Sequence, residues 1–396
     1  GQGILSQGVI AKVDELKNYN RLYFCSNKRA VANRNQELAQ LTKVPCLDAP
    51  YRKPSAKILK YLDNPERWPL VVIGDKFLTD GLFAKNIGAS FVKVQRLLAS
   101  TDSFITKTAY LVDDFFYQLS LYLTLMRPWQ WIKNLFIFAP LFFARDVFDL
   151  NKLAASIWAF VVFCLTASAV YLINDLADKK TDAEHPKKKF RPVAAGLVSA
   201  PAAGVLSGLL LMVAAWLIVV KVPTISGLML IYLVFNLLYS FYLKKVAIFD
   251  LLLVSSFYLL RILAGGWAGD IFISRWLVLC VIFFSLFIVI GKRRAELAHL
   301  NQREVLRYYN LNFLDQLLTM SAGLTVVAYG IYSVLGVQSS LAVYSTLFVI
   351  LGIFRYLFII HTSGDAEYPE KLALKDTMIF GSVAAWLIFM YIIYYL

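Results

Sequence analysis

The chain has 396 residues, of which 59% are hydrophobic and only 17% charged, and its mean hydropathy of +0.61 excludes an ordinary soluble protein of this length. The net charge of +14 does not call for nucleic acid, because membrane proteins gather Lys and Arg in cytoplasmic loops and the basic residues here cluster on alternate loops. Cys25, Cys46, Cys164 and Cys280 show neither metal-ligand spacing nor a secreted disulfide framework, and Gly1–Asn18 lacks the apolar core of a signal peptide, so a reducing, cytosolic face is expected.

Residues 1–112 read as a small α/β domain. Arg21–Ser26, Leu70–Gly74 and Ala89–Val94 are apolar enough for buried strands, each followed by a turn and a helix candidate, the alternation of a parallel sheet. Residues 113–396 read as a membrane domain. Apolar blocks near 128–145, 152–174, 199–220, 223–242, 246–269, 274–291, 317–336, 340–361 and 376–396 approach the ~20 residues needed to cross a bilayer. Nine α-helical crossings are therefore expected, the first being the weakest. Lys179, Lys180, Lys187–Lys189 and Arg191, then Lys244 and Lys245, then Lys292–Arg294, Arg303 and Arg307 fall on alternate loops. The positive-inside rule places those loops and the α/β domain in the cytoplasm, in a multi-pass bacterial inner-membrane protein.

The second block ends in Asn174-Asp175-Leu-Ala-Asp178-Lys-Lys-Thr-Asp182. On a continuing helix Asn174, Asp178 and Asp182 share one face at i, i+4 and i+8, with Asp175 beside it. Solvated loop charge is the bland reading of a single Asp. Three carboxylates and an amide at the mouth of a membrane span are costly there, and form a hard-oxygen set suited to Mg²⁺ and a diphosphate. The run Glu184-His185-Pro186-Lys187-Lys188-Lys189-Phe190-Arg191-Pro192 follows, giving phosphates charged partners while also serving topology.

These two motifs resemble the UbiA superfamily of intramembrane prenyltransferases, and within it the decaprenyl-phosphate phosphoribosyltransferase branch. The resemblance extends to Arg127-Pro-Trp-Gln-Trp-Ile-Lys-Asn134, to Tyr239-Ser-Phe-Tyr-Leu-Lys244-Lys-Val-Ala-Ile-Phe-Asp250 and to Gly291-Lys-Arg-Arg-Ala-Glu-Leu297, over about residues 120–396. Aromatic prenyltransferases of the superfamily carry a second D-x-x-x-D pair, but here Val254 stands four residues after Asp250. The resemblance then implies Mg²⁺-dependent transfer of phosphoribosyl from 5-phosphoribosyl 1-diphosphate to a polyprenyl phosphate. Asp175, Asp178 and Asp182 would hold the metal. Lys133, Asn134, Asn174, Lys187, Lys188, Lys189, Arg191, Lys244 and Lys292 would contact substrate phosphates. Asp250 and Tyr239 would orient the ribose, and Arg261 would meet the lipid phosphate or else pair inside the bundle.

In the α/β domain, Ser26, Lys53, Asp75 and Asp80 follow the order of the later motifs of haloacid-dehalogenase-type phosphatases, in the phosphatidylglycerophosphate-phosphatase-like branch. That resemblance implies removal of the product's 5-phosphate. It lacks the family's D-x-D nucleophile motif, so either the segment bearing it is absent from this sequence or the domain is a degenerate scaffold. Two rivals remain: an aromatic-acceptor prenyltransferase, and a transporter, which the Gly265-Gly266 pair in the fifth block would suit by breaking a helix. Oligomeric state is not legible.

Overall fold

The computed structural model describes residues 7–25, 27, 42–45, 47, 50–63, 65, 69–96, 102–185, 188–298, 304–337, 339–362 and 369–396. The chain divides into two compact units, Gly1–Tyr122 and Leu123–Leu396.

The first unit opens with helix α1 (Gln7–Lys17). Strands β1 (Val71–Gly74) and β2 (Ser90–Lys93) pair in parallel, with Val71 opposite Ser90 and Gly74 opposite Lys93, around α2 (Leu82–Asn86). Two of the three expected strands form. Of Arg21–Ser26, only Phe24 is bridged, between Pro45 O (2.9 Å) and Leu47 N (2.8 Å). The long helix α3 (Phe104–Met126) packs Tyr117 against Phe77 and Phe91, so its first turns belong to this unit although the composition changes near residue 112.

The second unit is helical. Among the described residues eight segments are long and apolar enough to cross a membrane. They contain α5 (Leu150–Ala177), α7 (Ala200–Lys221), α8 (Ser226–Phe241), α9 (Phe249–Ala268), α10 (Arg275–Ala298), α11 (Leu311–Ile331), α12 (Thr346–Thr362) and α14 (Thr377–Tyr395). The shorter α4 (Ala139–Phe143) precedes them, and α6 (Lys179–Glu184) and α13 (Pro369–Lys375) lie between them. The first expected span is the exception. It is a 3₁₀ run, Pro128–Phe138, continued by α4. At about 2 Å per 3₁₀ residue and 1.5 Å per α residue, this stretch still rises roughly 30 Å, the thickness of the hydrocarbon layer.

Why that run sits where it does follows from its neighbours. Arg127 is left-handed (φ 53°, ψ 58°), and Met126 O is capped by Ser168 Oγ at 2.8 Å, so α3 stops there and the chain turns along α5. Against α9, the carbonyl of Ile137 occupies the place a Cβ on residue 265 would take. Only glycine fits. Gly265 thus serves a close helix approach within an unbroken α9, not the helix break a transporter would use.

Candidate active site

The end of α5 does not continue as one helix. Asp178 leaves the helical region (φ −92°, ψ 8°) and α6 starts anew at Lys179. The expected common face of Asn174, Asp178 and Asp182 is therefore replaced. Asp175 and Asp182, two turns apart at i and i+7, come together instead: Arg191 Nη1 lies 3.1 Å from Asp175 Oδ1 and 2.6 Å from Asp182 Oδ2. Both carboxylates are buried, at 3% and 2% exposure. Arg127 Nη2 donates to Asp175 Oδ1 at 2.5 Å while its guanidinium lies over the Tyr171 ring, and Lys188 Nζ stands 3.8 Å from Asp182. Asp178 turns the other way and accepts from Lys244 Nζ at 2.9 Å. Lys189 lies over the Phe190 ring. Lys187 and Ser26 fall outside the described residues.

A divalent cation is implied by this donor set, and the residues can be tested against it. Asn174 Oδ1 is buried with no hydrogen-bond partner among the described residues. Two carboxylates already converge on one positive nitrogen. No three acidic, His or Cys side chains among the described residues share a point. The fit is thus to an ion that takes one or two carboxylates and completes its shell with water and substrate phosphate, as Mg²⁺ does. Of the three aspartates expected from spacing, Asp175 and Asp182 converge on Arg191, while Asp178, at the break itself, pairs with Lys244.

A second polar cluster closes around Arg293. Its Nε donates to Asp250 Oδ2 (2.8 Å), Nη1 to Glu296 Oε2 (2.7 Å) and Nη2 to Tyr239 Oη (3.0 Å). Tyr309 Oη donates to Asp250 Oδ1 at 2.6 Å. Asp250 is 0% exposed with both oxygens engaged, and Arg293 joins it to the half-buried Tyr239 in one cluster. Burial and the bond to Asp250 both push the Tyr309 phenol up from its ordinary value. Lys292 stands 4.0 Å from Glu296.

The third group lies deeper. Arg261, 5% exposed, donates through Nε to Asn134 Oδ1 (2.7 Å) and Nη1 to Phe257 O (2.6 Å), with Tyr232 Oη 3.5 Å from Nη2. No carboxylate pairs with it among the described residues, so its charge is met only by dipoles and by the rings of Phe163, Tyr232 and Tyr258. Lys133 bonds Gln130 Oε1 (2.5 Å) and stands 3.5 Å from Glu370 of α13, which also accepts from Gln130 Nε2 (2.8 Å). Burial raises the Glu370 carboxyl, but Lys133, its backbone contact, Lys292 and Gln130 together bring it below its ordinary value.

Arg127, Arg293, Glu296, Tyr309 and Glu370 were not foreseen as site residues. Arg293 and Glu296 carried a signal in their i, i+3 spacing. Tyr309 and Glu370 carried none. In the first unit, Lys53 Nζ pairs with buried Asp80, whereas Asp75 is held by Arg96, whose Nη2 donates to Asp75 O at 2.7 Å.

A helical bundle that interleaves buried carboxylates with guanidinium and ammonium groups at the end of an apolar span has the charges that suit a phosphorylated substrate at the edge of lipid, as an integral-membrane transferase requires. The sequence narrows that class. Residues 135–383 match the model of the UbiA prenyltransferase family, and the chain belongs to that family. The decaprenyl-phosphate phosphoribosyltransferase of Mycobacterium tuberculosis is 37% identical over 277 residues, covering 66% of this chain and 90% of that protein. The enzyme of the same name from Mycolicibacterium smegmatis is 37% identical over 286 residues, covering 66% and 88%. A UbiA homolog from Archaeoglobus fulgidus bound to DMAPP and Mg²⁺ shares the fold with a TM-score of 0.55 at 17% identity, over 69% of this chain and 98% of that one.

Proposed function

We propose that the chain transfers a 5-phosphoribosyl group from 5-phosphoribosyl 1-diphosphate to a polyprenyl phosphate, releasing diphosphate, at the cytoplasmic end of α5 in a bacterial inner membrane. The observation that carries this reading is the Asp175–Arg191–Asp182 bridge, flanked by Arg127, Lys188 and the Lys244–Asp178 pair. Carboxylates and cations that already neutralise one another can exchange partners with an incoming phosphate without stranding a charge.

Mg²⁺ held by Asp175, Asp182 and the unpartnered Asn174 Oδ1 would offset the charge that develops on the departing diphosphate. Arg191 and Arg127 offer flat, bidentate donors to the donor phosphates, and Lys188 and Lys244 act as point charges. The lipid phosphate is anionic and needs no base. Arg261, charged and with no carboxylate partner among the described residues, is suited to receive it.

Two further points support phosphoribosyl over prenyl transfer. The engaged, fully buried Asp250 leaves no second open carboxylate pair beside it for an allylic diphosphate. Relatives 37% and 35% identical bear the name decaprenyl-phosphate phosphoribosyltransferase, whereas the prenyl diphosphate-bound neighbours are only 17% identical. The basic loops around the site favour the cytoplasmic face.

The test is transfer by purified full-length chain given Mg²⁺, polyprenyl phosphate and either labelled 5-phosphoribosyl 1-diphosphate or a labelled prenyl diphosphate. Label should enter the lipid phase from the first donor. Entry from the second alone would overturn the reading, and entry from neither would remove the enzyme from it.

A further inference from the structure

The loop after α8 reaches α9 through an uncommon turn. Phe249 N donates to Ala247 O at 2.8 Å across Ile248, whose φ of 68° and ψ of −47° make this a γ-turn of the strained hand. A β-branched residue at positive φ is a genuine outlier, and such strain persists only where the surroundings impose it. Burial does not impose it, since Ile248 is 51% exposed.

One side chain does. The Tyr309 hydroxyl, from the segment between α10 and α11, accepts from Ile248 N at 2.7 Å and donates to Asp250 Oδ1 at 2.6 Å. It thus ties both sides of the turn to the buried Arg293 cluster. Four residues before Ile248 lies Lys244, the partner of Asp178. The intervening chain is short and internally bonded, Lys245 N to Tyr242 O and Val246 N to Leu243 O, so the direction of the turn fixes where Lys244 can reach.

We propose that Tyr309 is a positioning residue: by pinning the strained turn at Ile248 it holds Lys244 against Asp178 at the donor site. As a statement about donor binding this rests on the transfer proposed above. As a statement about Lys244 it stands on the geometry alone. Without the hydroxyl, Ile248 relaxes to negative φ and the loop swings Lys244 away from Asp178.

The experiment is competitive acetylation of the full-length protein in detergent, read by mass spectrometry as the ratio of labelling at Lys244 to that at Lys245, with Lys133 as reference. Strain of the size stored at such positions corresponds to roughly 5- to 150-fold in a conformational equilibrium, so Tyr309→Phe should raise the ratio at least about fivefold. Adding Ile248→Gly, which accepts positive φ without a clamp, should return it to within about twofold of wild type. In the transfer assay Tyr309→Phe should raise donor KM more than it lowers kcat, with the same rescue. An unchanged ratio in Tyr309→Phe, no recovery in the double variant, or an equal rise at Lys133 would overturn the proposal. Labelling needs no donor, so a wild-type chain inactive with phosphoribosyl diphosphate would sink the functional reading while the ratio still decides the clamp.

Discussion

Replacing Arg191 with Gln separates the two tasks of the acidic site. Its Nη1 is shared by Asp175 and Asp182 at 3.1 and 2.6 Å. An ion pair at about 4 Å is worth about 4 kcal/mol at an effective dielectric of 20. The Arg191 side chain is 31% exposed, and Arg127 and Lys188 remain beside the carboxylates, so screening and redundancy reduce the loss. A net cost of about 2 kcal/mol in donor binding, roughly 30-fold, is what remains. The assay is initial rate against donor and against Mg²⁺, each varied with the other saturating. Donor KM should rise about 30-fold, because a phosphate partner is gone. Half-saturating Mg²⁺ should fall, because the guanidinium no longer competes for the two carboxylates. Movement of both constants upward, or of neither by more than about twofold, would refute the assignment of Arg191 to substrate and of Asp175 and Asp182 to metal.

Two other perturbations probe the supporting clusters. Arg293→Met strands Asp250 and Glu296, both buried, and should destabilise the protein by about 3–5 kcal/mol, seen as a lowered unfolding midpoint in detergent; an unchanged midpoint would mean that the cluster is not a support. Glu370 has a depressed carboxyl, so its stabilising contribution is complete above the unfolded value and is lost as pH falls through the folded one. Glu370→Gln should therefore lower stability at neutral pH and flatten the acid-side decline below about pH 4.5, measured as unfolding midpoint against pH; a decline as steep as wild type would place the acid sensitivity elsewhere.

What was legible in the sequence was what is local. Apolar blocks of span length marked the membrane helices, and the aspartates closing α5 marked a candidate site. The arrangement of those aspartates was not legible, because it depends on where the helix breaks, and the break at Asp178 lets Asp175 and Asp182, seven residues apart, share Arg191. The 3₁₀ form of the first span was likewise hidden. It answers to the turn at Arg127 and to the contact of Ile137 with Gly265, neither of which has a periodicity. The partners of Asp250, Arg293 and Tyr309, were hidden because they lie 43 and 59 residues away. Glu370 meets Gln130 across 240 residues, a pairing no spacing rule reaches. In the α/β half, Leu70–Gly74 and Ala89–Val94 were visible as strands because they are apolar on their own account, whereas among the described residues of Arg21–Ser26 only Phe24 is bridged.

The central claim is that the buried pair Asp175 and Asp182 presents a phosphoribosyl donor to a lipid phosphate. Its most direct measurement is diphosphate released against lipid product formed, in wild type and in Asp182→Asn, with Mg²⁺ and both substrates present. The account predicts equal amounts of the two products from wild type and neither from the variant. Diphosphate and lipid product formed by Asp182→Asn at the wild-type rate would contradict it.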